Sequence, residues 1–186
     1  NLRGSDLSGT NLTGANLNGA DLSGCDLEGA NLDEADLSET ILIGVSSGNI
    51  SGDPTLPDSW LLFNAHLVGP GASLDGANLS GIDLSGSDFS GSDFRNVDLR
   101  DANLRGTDLS SANLEGANLE GADLSGTSFR DANLSGIDFS GRDLRTGDFS
   151  GADLTGADLS SVDLRNVDMA GTLLVNRSEE HTSELQ

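Results

Sequence analysis

The sequence predicts an all-β solenoid, a chain wound into stacked coils, and three observations carry that prediction. From Leu74 to Leu174 a large apolar residue recurs at every fifth position without a miss, as in Leu79, Leu84, Phe89, Phe129, Phe149 and Met169. At about 100° per residue, such a period advances about 140° around a helix at each step, so these side chains would share no helical face. Most of these large residues are preceded, across one Asp or Asn, by a small residue, which is the in-out-in alternation of a short strand. A pair such as Ser-Gly or Glu-Gly follows, and its glycine tolerates the positive φ of a corner. A unit this short cannot bury its own apolar side, so it must stack on copies of itself.

The first block, residues 1–42, carries the unit at Leu2, Leu7, Leu12, Leu17, Leu22, Leu27, Leu32, Leu37 and Leu42, with Ala15, Ala20, Cys25, Ala30 and Ala35 among its small residues. A loop thrown out from one corner is expected over 43–59, where the register is lost and Pro54 and Pro57 fall. The coil is expected to resume at Trp60, because Leu62 and Leu67 keep the first block's phase, and a bulge at Pro70-Gly71 then resets it. The resumed β-helix runs over 60–176. The last stretch, 177–186, abandons the repeat and resembles a translated sequencing adapter, so it is set aside as an artefactual, disordered tail. Asn1 stands inside a repeat, so the natural N-terminus is expected to be missing and the compartment, bacterial cytoplasm or export, stays open.

These units resemble the pentapeptide-repeat family, written A(D/N)LxX, over residues 1–42 and 72–174. The resemblance implies a right-handed quadrilateral β-helix with four units per coil, the Leu or Phe and the Ala-like residue pointing inward. Leu56-Pro57, Trp60 and Val68-Gly69-Pro70-Gly71 resemble an insertion found in some bacterial members. Counting the two units at 60–69 gives about eight coils, or about 38 Å at about 4.8 Å per stacked strand. Stacking at twenty residues would put Asp88, Asp108, Ser128, Asp148 and Asp168 in one outward ladder and Phe129 over Phe149 inside.

The formal net charge is −22, from 31 acidic and 9 basic residues, and every basic residue is arginine. That balance excludes direct nucleic-acid binding and attraction to anionic lipid, both of which need a cationic patch. No apolar run approaches the length of a membrane span. Cys25 has no partner for a disulfide and fills an inward slot. The carboxylates lie on a convex, solvated surface without an apolar pocket, and His66 has no nucleophile near it, so catalysis finds no site. No cofactor is expected, and no metal either, because a ladder sets its oxygens in a row where calcium needs them to converge at about 2.4 Å.

The expected function is that of a non-enzymatic acidic scaffold or protein-interaction module whose protein partner is unknown. The family resemblance implies a second reading, a DNA mimic that binds a type II topoisomerase, DNA gyrase. Its face would be Asp88, Asp108, Asp148 and Asp168 with the neighbouring Asp98, Asp138 and Asp158, joined by the loop near Trp60 and Phe63. Those two aromatics either pack the loop on the coil or face a partner. The units are more regular than in that group, and no C-terminal dimerisation helix is present in the sequence. Open coil edges would also permit end-to-end self-association of a truncated chain.

Overall fold

Three residues that alternate in, out and in before each corner leave room for one β-bridge per unit, and the bridges set the architecture. In the computed structural model, which describes residues 1–175, parallel bridges join outward residues twenty apart everywhere but from Asp36 to Thr55 and from Ser46 to Ser73, so four units complete a coil. One ladder runs unbroken along a first face through Asp6, Asp26, Ser46, Ser73, Asp93, Asn113, Asn133, Asp153 and Leu173. The second face carries Asn11, Asn31 and Ser51, then Asn78, Asp98 and Asn118, then Asp138 and Asp158. On the third, Asn16, Asp36 and Thr55 are followed by Asp83, Asn103 and Asp123. The fourth pairs Asp21 with Ile41 and then links Asp88, Asp108, Ser128, Asp148 and Asp168.

The corners close locally. The small residue's N–H donates to the carbonyl three residues back, as from Ala30 to Leu27 at 3.0 Å and from Ala132 to Phe129 at 3.0 Å. The glycine before it takes positive φ, 66° at Gly29, where a side chain would be strained. Inside, the Leu, Phe and Ala slots stack into a thin apolar core. Phe129 lies over Phe149 with centroids 5.0 Å apart and rings 28° from parallel, as the twenty-residue interval requires. Cys25 is buried in its inward slot.

The middle of the chain departs from the expected layout. Much of 43–59 is not a loop, since Ser46, Ser51 and Thr55 bridge to Asp26, Asn31 and Asp36, and Val45 and Ile50 fill inward slots. What leaves the coil is an antiparallel hairpin of two strands, β1 (Leu61–Phe63) and β2 (His66–Val68), in the register Leu61 to Val68, Leu62 to Leu67 and Phe63 to His66. Pro70-Gly71 is an ordinary corner with Gly71 at φ 68° and Gly44 N–H donating to the Gly71 carbonyl at 2.7 Å. It is not a bulge; the hairpin absorbs the phase slip.

The hairpin is a partition. By strand alternation Leu62 and Leu67 join the core formed by Leu22 to Ile50, whereas Leu61, Phe63 and Val68 join the core that runs from Ala72 to Leu154. Trp60 touches both. Room for the wedge exists because the slots that hold Leu elsewhere hold Ser47 and Gly52, and the Ser47 hydroxyl accepts the Leu67 N–H at 2.9 Å. The Ala65 carbonyl accepts Ile50 N–H at 3.0 Å, and the Asn64 amide donates to the Asn78 carbonyl at 3.1 Å, so the tip is clamped between the two bodies. Among the described residues only the first face carries bridges across this joint.

The hairpin turn places both Asn64 (φ 46°) and Ala65 (φ 61°) in the left-handed region. An L-residue other than Asn or Asp pays about 1–2 kcal/mol there. Ala65→Gly is therefore expected to raise the thermal midpoint, with a net gain of about 0.5–1 kcal/mol after the extra unfolded-state freedom of glycine. An unchanged or lowered midpoint would show that this turn is not strained.

Candidate functional site

The outward Asp and Asn residues have a structural task before any functional one. Each turns its Oδ1 back to accept the N–H two residues ahead, closing an Asx turn over the corner. Asp88 accepts from Ser90, Asp108 from Ser110 and Asp148 from Ser150, each at 2.9 Å, and Asp168 accepts from Ala170 at 3.0 Å. Asn78 and Asn113 do the same at 3.1 Å. The acceptor oxygen is common to both residue types, so the choice between Asp and Asn sets charge without changing the corner.

On the fourth face that choice is Asp at Asp88, Asp108, Asp148 and Asp168, broken by Ser128, and the bridges place them in one ladder. The second face is less continuous: Asp98 bridges to Asn118 and Asp138 to Asp158, with no bridge between Asn118 and Asp138. Its three aspartates therefore do not form the single ladder that the twenty-residue arithmetic expects.

Arginines cancel part of this charge, a pattern that the Asp-apolar-Arg spacing shows in the sequence for Asp93, Asp98, Asp143 and Asp163 but not for Asp148. Arg100 pairs with Asp98 at 2.6 Å and Arg130 with Asp148 at 2.7 Å, while Arg95, Arg145 and Arg165 pair with Asp93, Asp143 and Asp163 at 2.6 Å. These pairs are exposed and add little to stability; their effect is on the surface field. Among the described residues Asp88, Asp108, Asp138, Asp158 and Asp168 take part in no ion pair. The carboxyls respond accordingly. The Ser150 hydroxyl, its N–H and the Arg130 guanidinium hold Asp148 down to about 2. Arg100 lowers Asp98, the Ser90 N–H and hydroxyl lower Asp88, and the Ser140 hydroxyl and N–H lower Asp138.

Trp60 and Phe63 are half-buried, Phe63 packed against the C-terminal core and Trp60 against both. Gly69 lies against the Trp60 indole so closely that any Cβ would run into the ring. His66 sits on β2 with Nδ1 2.8 Å from the Asn64 carbonyl. Exposed apolar surface appears instead at Ile41, 47% exposed in an Asp/Asn slot of the fourth face, and at Ile43, 62% exposed on the next corner. Among the described residues no three His, Cys, Asp or Glu side chains gather as a metal site.

A family model described as pentapeptide repeats matches the chain in eight copies, over residues 1–29, 20–46, 72–110, 107–145 and 132–171. No curated protein matches. Among solved structures, the chain is similar to HetL, a pentapeptide repeat protein involved in heterocyst differentiation regulation in the cyanobacterium Nostoc, at 30% identity over 91% of each chain with a TM-score of 0.38. It is similar to the trypsin-treated form of QnrB1, a plasmid-mediated fluoroquinolone resistance protein, at 23% identity over 91% of each chain with a TM-score of 0.43. A pentapeptide repeat protein of the Arabidopsis thaliana thylakoid lumen is 34% identical over 53% of this chain and 62% of that one, with a TM-score of 0.31.

Because Asp143 and Asp148 are each held near 2 in the folded chain, against about 3.9 when unfolded, the unfolded state binds more protons between those values. Their contribution is complete above about pH 4 and is lost as pH falls toward about 2. Thermal midpoints followed by circular dichroism should fall through that window. A midpoint that stays flat or rises on acidification would show that relief of carboxylate repulsion outweighs these hydrogen bonds.

Proposed function

The chain belongs to the pentapeptide-repeat family, and from that premise we propose that it works as a non-enzymatic acidic scaffold that binds a protein partner. Its form in this reading is a right-handed, four-sided β-helix of about eight coils, split by the hairpin into an N-terminal and a longer C-terminal body. The observation that carries the reading is the uniformity of the surface. Most outward slots on all four faces carry the same Asx turn, most of their carboxylates are solvated, and arginines neutralise some of them within the face. Among the described residues that arrangement orients no nucleophile, whereas a rigid rod with repeated polar rungs presents a long, preorganised contact surface at low entropic cost.

A second reading is favoured by the fourth face alone. Among the described residues Asp88, Asp108 and Asp168 take part in no ion pair, and they share one ladder with Asp148. One carboxylate per coil, about 4.8 Å apart, is of the order of the axial rise per phosphate of one DNA strand, about 3.4 Å, although Ser128 leaves a gap. In this reading the ladder stands in for a duplex on a type II topoisomerase, DNA gyrase, with Asp98, Asp138 and Asp158 beside it.

A gyrase supercoiling assay with residues 1–176 over a salt series separates the two. The scaffold reading expects no change in supercoiling even at high protein concentration. Salt-sensitive inhibition that disappears when Asp88, Asp108, Asp148 and Asp168 are all changed to Asn would overturn it in favour of mimicry. The asparagines preserve the Asx turns, so loss of the effect could not be blamed on loss of fold.

A further inference from the structure

The small inward slot of the third face holds Ile82, Ala102, Ala122 and Val162, but in one coil it holds Arg142. The ladders fail around it. Asp83, Asn103 and Asp123 are bridged in sequence, yet Asp123 and Asp143 are not, and on the second face neither are Asn118 and Asp138. One coil earlier, Leu99 N–H donates to the Asn118 carbonyl and Leu104 N–H to the Asp123 carbonyl, both at 2.9 Å. The equivalent N–H groups of Leu119 and Leu124, and those of Asp138 and Asp143 opposite, make no such bond among the described residues. Gly126 N–H is diverted to the Thr146 hydroxyl at 2.8 Å. The other two sides stay closed: Leu114 N–H reaches the Asn133 carbonyl at 2.9 Å and Phe129 N–H the Asp148 carbonyl at 2.7 Å.

Arg142 explains the pattern. Its side chain is too large for a slot shaped for alanine, and a guanidinium has to keep contact with water. It enters no ion pair among the described residues, and its Nε is shielded without a partner. The lips part over a cleft of about 550 Å³ lined by Leu119, Glu120, Asp138, Ser140 and Arg142.

We propose that Arg142 makes this seam a point of local opening built into the solenoid, at which coil 133–152 swings away from coil 113–132. The hinge is the corner shared by the first and fourth faces, where the ladders Asn113 to Asn133 and Ser128 to Asp148 hold. Opening presents the unpaired strand edges of the second and third faces, Leu119 and Leu124 on one lip and Asp138 and Asp143 on the other. Local opening of this kind is read by amide exchange.

Hydrogen exchange of the whole chain tests it, followed by mass spectrometry on the wild type and on Arg142→Ala and Arg142→Val. In the wild type the amides of 116–126 and 136–146 should exchange at least about tenfold faster than those of 96–106, which occupy the same two faces in a closed coil. Both variants should slow exchange at the seam to the level of 96–106 and raise the thermal midpoint by a few degrees, about 2–4 °C for each kcal/mol regained. Equal exchange in the wild type, or a seam that stays fast in folded variants, would overturn the proposal. So would variants that lose their β-structure, because Arg142 would then be holding the coils together.

Discussion

The rest of this structure depends on a hydrogen bond between neighbours: the Oδ1 of an outward Asp or Asn accepting the N–H two residues ahead, as from Ser90 to Asp88 at 2.9 Å. A turn after every three-residue strand is what fixes the unit at five residues, and four such turns bring the chain back over itself. The cross-coil hydrogen bonds and the stacking of Phe129 on Phe149 follow from that return. The corner also explains why the chain is acidic without being functionally acidic at every site. An Asx acceptor serves most corners, and Asp and Asn both supply it, so net charge accumulates wherever Asp is used.

Three breaks in the repetition stand out, each with a physical cause. Ser47 and Gly52 replace large apolar side chains and make room for the hairpin that partitions the core. Ile41 and Ile43 replace polar residues and leave apolar surface on the fourth face. Arg142 replaces a small apolar residue and parts two ladders. The ladders are interrupted at the hairpin, where only the first face carries bridges across among the described residues, and at Arg142, where the first and fourth faces do.

The twenty-residue interval, the outward ladder from Asp88 to Asp168 and the phenylalanine stack were legible in the sequence because each repeats the same local geometry. The hairpin was not, for a specific reason. Leu62 and Leu67 lie directly opposite each other across a two-residue turn, which sets them five apart, the same spacing that two successive repeat units would give. A period of five therefore could not distinguish a hairpin from a coil. Residues 43–55 read as a loop because their large slots are empty of leucine, yet Val45 and Ile50 keep the small slots filled and the backbone stays in the ladder. Charge was misread in the other direction, since composition cannot show that Asp98 and Asp148 are held by Arg100 and Arg130.

The most direct measurement is a urea titration of two triple variants, with Asp88, Asp108 and Asp138 changed either to Asn or to Ala. If the Asx acceptor is what shapes the coil, the Asn variant keeps a midpoint close to wild type and the Ala variant unfolds at clearly lower urea. Equal stability of the two variants would contradict the account, because it would mean that the corners close without the side-chain acceptor.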